Sequence, residues 1–71
     1  MRYERQKMIQ KELDARIPRG LRGEPQNVLR HVVNSQRLRG MNFEKSVEFA
    51  INFVRERYPN FMPIILPPPA Y

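Results

Sequence analysis

The stretch from Asn42 to Tyr58 is the only part of this chain apolar enough to seed a core, and what it needs from its surroundings limits the folds available. Phe43, Val47, Ala50, Ile51, Val54 and Tyr58 recur at steps of three or four, which places them on one face of a helix with about 3.6 residues per turn. Phe49 and Phe53 fall off that stripe, so apolar side chains occupy more than half the circumference and the helix has to be covered from two directions. A chain of 71 residues offers little to cover it with, and a homodimer or a larger protein assembly is expected to help. At this size folding buries only about 60% of the surface the unfolded chain exposes. Small domains usually add a disulfide, a metal or a partner subunit. With no Cys and with His31 as the only His, disulfides and the common zinc sites are excluded, and no metal or cofactor is expected.

The net charge of +6 is unevenly placed. Arg16, Arg19, Arg22, Arg30, Arg37 and Arg39 are opposed in the middle of the chain by Glu24 alone, whereas the charges on either side of this stretch nearly cancel. Every cation of the surplus is Arg, whose planar fork suits phosphate and base edges where Lys is a point charge. A polyanionic partner is the expectation that follows, set against a plain solvated surface. No run reaches the ~18 apolar residues of a membrane span. The start, Met1 to Lys7, is charged and lacks the apolar stretch of a secretion signal. Together with the lack of Cys this fits a soluble protein of a reducing, cytoplasmic-type compartment.

Taken in order, Tyr3 to Ala15 consists of strong helix formers, with Ile9, Leu13, Tyr3 and Met8 offering an apolar edge. Pro18 ends that helix, because the residue before a proline is pushed out of the α region. Leu13, Ala15 and Ile17 also alternate with Asp14 and Arg16, so a short strand over residues 13–17 competes for the same residues. Pro18 to Glu24 reads as an Arg/Gly loop without the spacing of a phosphate-binding loop. Pro25 suits the first position of a second helix, which carries Val28, Leu29, Val32 and Val33 and stops at Gly40. Asn42 is a natural N-cap for the third. After Tyr58 come five of the seven prolines, so residues 59–71 read as an apolar, proline-rich tail on a helical domain of residues 1–58. Pro68, Pro69 and Tyr71 fit the Pro-Pro-x-Tyr pattern bound by WW-type aromatic grooves.

Catalysis needs converging polar groups, and none of the usual sets is present: no Ser/His/Asp constellation, no Cys, no Gly-rich nucleotide fingerprint. An enzyme is not expected. The run Gly40 to Ile51, Gly-Met-Asn-Phe-Glu-Lys-Ser-Val-Glu-Phe-Ala-Ile, resembles the junction between the two helices of ribbon-helix-helix DNA-binding proteins, and Ala15-Arg16-Ile17-Pro18 looks like the end of that family's strand. The resemblance covers about residues 13–58. It implies an obligate dimer whose paired strands enter the major groove with Glu12, Asp14 and Arg16 toward the bases, although two acids at such positions depart from the pattern.

The reading that follows is an all-α domain of three helices near residues 2–15, 25–39 and 42–58 with a proline-rich extended tail; the alternative is a ribbon-helix-helix dimer with a strand at 13–17. The expected function is non-enzymatic binding of nucleic acid, as in a DNA-binding regulator, with the six arginines named above as phosphate anchors. The alternative is a protein-protein interaction subunit or inhibitor that docks through Phe49, Phe53, Ile64, Ile65 and Leu66.

Overall fold

The computed structural model describes residues 2–18 and 23–68. Three α-helices of equal length form, α1 (Arg2–Arg16), α2 (Glu24–Leu38) and α3 (Phe43–Arg57), and no strand forms among the described residues. The helix boundaries lie within a residue of those expected. Pro25 is the second residue of α2 rather than the first, and Gly23 precedes the helix at φ 69°, a backbone conformation open to glycine.

The strand over residues 13–17 is not formed, because α1 runs through Leu13 to Arg16. Ile9, Leu13 and Ile17 are spaced four apart, and helix geometry stacks all three into one buried row. A strand confined to residues 13–17 would have left Ile9 outside it and gained no pairing edge from this chain. Tyr3 and Met8, expected on the same apolar edge, are instead 68% and 71% exposed, since they face away from that row.

α2 stops at a glycine C-cap. Gly40 sits at φ 101° and its N–H donates to the Arg37 carbonyl at 3.0 Å, while Met41 N–H donates to the Gln36 carbonyl at 3.0 Å, the paired bonds of a Schellman turn. Two residues later Asn42 opens α3, its side-chain oxygen accepting from Lys45 N–H at 2.8 Å. So short a connection folds α3 back along α2.

α2 packs against both neighbours and most extensively against α3. Leu29 and Val33 of α2 meet Ile9, Leu13 and Ile17 on one side and Phe43, Val47, Ala50 and Val54 on the other in a single core. Val28, Val32, Ile51, Phe53 and Tyr58 pack at its edge. The second cover for α3 comes in part from the chain itself: Phe61 and Ile65 also lie against the core. Gln26, Gln36 and Ser46 are buried polar members of these rows, and no buried side-chain polar atom among the described residues lacks a partner.

Candidate functional surfaces

The arginines of the middle segment divide by what they touch. Arg37 donates from Nε to Glu12 Oε1 at 2.7 Å and from Nη1 to the Met41 carbonyl at 2.8 Å. Arg30 pairs with Asp14 and donates to the Ile17 carbonyl at 3.0 Å and to Gln10 Oε1 at 3.3 Å. Arg16 lies over the Phe43 ring at 4.4 Å from its centroid, reaches Glu44 at 3.5 Å and donates to the Leu66 carbonyl. All three side chains are largely or mostly covered.

These guanidinium groups therefore hold elements of the fold together. Antiparallel packing of α1 on α2 sets Glu12 and Asp14 opposite Arg37 and Arg30, and Gln10 donates to Asn34 at 3.3 Å in the same ladder. The two acids that fit poorly as groove-facing readers are the counter-ions of two arginines expected to hold phosphate. Arg39 is exposed at the end of α2. Arg19 and Arg22 lie outside the described residues, as do Pro69 and Tyr71, while Pro68 is exposed.

The expected partner-interface residues also divide. Phe49 is 46% exposed near the middle of α3. On one side of it lies a hollow lined by Met41, Lys45, Glu48 and Asn52; on the other lies a hollow formed by His31, Val32, Ser35, Gln36 and Phe53. Phe53 is half-buried against the core, with the Arg57 guanidinium 4.6 Å from its ring centroid. Ile64 and Ile65 belong to the chain's own packing, Ile65 against the core and Ile64 through its main chain to Gln26; Leu66 remains 43% exposed. Val32 and Met41 complete the surface around Phe49 and do not stand out in the sequence, because each reads there as part of a core row or a linker.

Among the described residues no group of three or more His, Cys, Asp or Glu side chains is placed to hold a metal ion, and no helix is long and apolar enough to cross a membrane. No protein-family model, curated protein or solved structure matches the chain.

Proposed function

We propose that this chain is a small interaction module that works by binding, and that it docks on an acidic protein surface through the α2/α3 face centred on Phe49. The observation that carries this reading is the position of Phe49: a half-exposed aromatic between two hollows, on a helix whose other large apolar residues are mostly covered. Fully burying such a ring contributes roughly 1.5–3 kcal/mol, and aromatic side chains are enriched at the cores of protein interfaces. Lys45 and Glu48 in the first hollow offset each other, and Arg57 over Phe53, with the chain's net charge of +6, favours a partner of opposite sign.

Nucleic acid is the second reading, supported by exposed Arg39 and by the presence of Arg19 and Arg22 in the sequence. One experiment separates the two. A photo-crosslinking residue is placed at Phe49, the captured protein is identified, and its affinity for the purified chain is measured at two salt concentrations. Docking through Phe49 predicts a loss on Phe49→Ala of at least about tenfold and a modest salt effect. Nucleic-acid binding predicts a gel shift that weakens about 10³- to 10⁵-fold between 50 and 200 mM salt if some 6–10 phosphates are contacted. A Phe49-independent, steeply salt-dependent ligand would reject the docking reading.

A further inference from the structure

The segment after α3 is held by its main chain. The buried Gln26 amide, 1% exposed, donates from Nε2 to the Ile64 carbonyl at 2.8 Å and accepts from the Ile64 N–H at 3.1 Å. Two residues on, Leu66 N–H donates to the Arg16 carbonyl at 2.7 Å and the Leu66 carbonyl accepts from the Arg16 side chain. Both polar main-chain atoms of residues 64 and 66 are thus engaged, and Ile65 between them packs on the core. This is how a strand edge grips an added peptide, carried out here by one glutamine and one arginine.

We propose that Gln26 and Arg16 form a backbone-reading peptide site, and that its occupant is exchangeable: residues 61–66 of a second copy of this chain fill the site in place of the chain's own. Three observations carry this. Gln26 is 1% exposed with the segment in place and both ends of its amide are satisfied by the Ile64 main chain, so the site is matched to an extended backbone whichever copy supplies it. The polar contacts of Ile64 and Leu66 are all made to residues far away in sequence, so each is regained unchanged when another copy supplies the segment. The turn that delivers it, Tyr58 to Phe61, is closed by a main-chain bond from Phe61 N–H to the Tyr58 carbonyl at 3.0 Å, so opening the hinge sacrifices little. In the closed monomer the segment competes at an effective concentration on the order of millimolar, and exchange sets in as the protein approaches that concentration.

The test mixes two full-length chains at about 1 mM, near that effective concentration. Ile65→Ala keeps a sound site with a weakened occupant; Gln26→Leu keeps a sound occupant with no site. Sedimentation is expected to show more dimer in the mixture than in either variant alone, because only the mixture brings a sound segment to a sound site. A mixture that stays monomeric overturns the proposal. Should Gln26→Leu lose its helical circular dichroism, the wild-type chain decides: labelled and unlabelled copies are refolded together at the same concentration and read by isotope-filtered NMR. A contact from Gln26 of one copy to Ile64 of another upholds exchange; contacts within single copies alone reject it.

Discussion

Arg37 and Glu12 meet at 2.7 Å across the α1/α2 interface, 25 residues apart in sequence, and the same guanidinium reaches on to the Met41 carbonyl just past the end of α2. One side chain thereby fastens α1 to α2 and steadies the turn into α3.

Removing that side chain is expected to act on folding. Both partners are partly covered, so after discounting for solvent Arg37→Ala should cost about 1–2 kcal/mol. For a domain of this length each kcal/mol lowers the melting temperature by roughly 4–8 °C. Arg37→Lys keeps the charge without the fork and should lose about half as much. Thermal melts followed by circular dichroism check this, and a double-mutant cycle with Glu12→Gln isolates the pair.

The buried row of α1 should be the most sensitive part of the first helix. Leu13 is fully buried between Ile9 and Ile17, so Leu13→Ala is expected to destabilise by about 2–5 kcal/mol, whereas Met8→Ala on the exposed side should stay within about 0.5 kcal/mol. Urea denaturation of the two variants measures the contrast.

The α2–α3 junction carries two local devices of similar worth. Asn42→Ala removes the cap on Lys45 N–H and should cost about 1 kcal/mol. Gly40→Ala meets no close contact but must adopt φ 101°, and is expected to cost about 1–2 kcal/mol through strain alone. Gly40→Asn, whose side chain tolerates that conformation better, should recover part of the loss in the same melting experiment.

Phe49→Ala should separate binding from folding. With the ring half exposed, its removal is expected to shift the melting temperature by no more than a few degrees, while Val54→Ala, buried further along the same helix, should cost about 2 kcal/mol or more. If Phe49→Ala unfolds the domain as Val54→Ala does, the ring is a structural member and not a docking anchor.

The helices are legible in the sequence because periodicity, glycine and proline act locally: the pairing of Ile9 with Leu13, that of Leu29 with Val33, and the α3 stripe all follow from spacing alone, as do Gly40 and Asn42 at the junction. The roles of the arginines are not. Clustering along the chain says nothing of which guanidinium faces a carboxylate in the fold, and it is the antiparallel register of α1 on α2 that sets Arg30 beside Asp14 and Arg37 beside Glu12. Gln26 leaves a faint mark, a polar residue three positions before Leu29 on the buried row, but the main chain of Ile64 that satisfies it lies 38 residues away. Of the expected partner residues, Phe49 is presented to solvent as its off-stripe position implies, while Ile65 is taken up by the chain's own core.

Because the carbonyl and side chain of Arg16 both hold Leu66, the end of α1 and the segment after α3 are tied to one another. They should therefore come away as a single cooperative unit, ahead of the central pair of helices. Amide hydrogens at the end of α1 and at Leu66 would exchange with solvent at a common rate, faster than those flanking Leu29 and Ala50, and weakening either one would quicken the other.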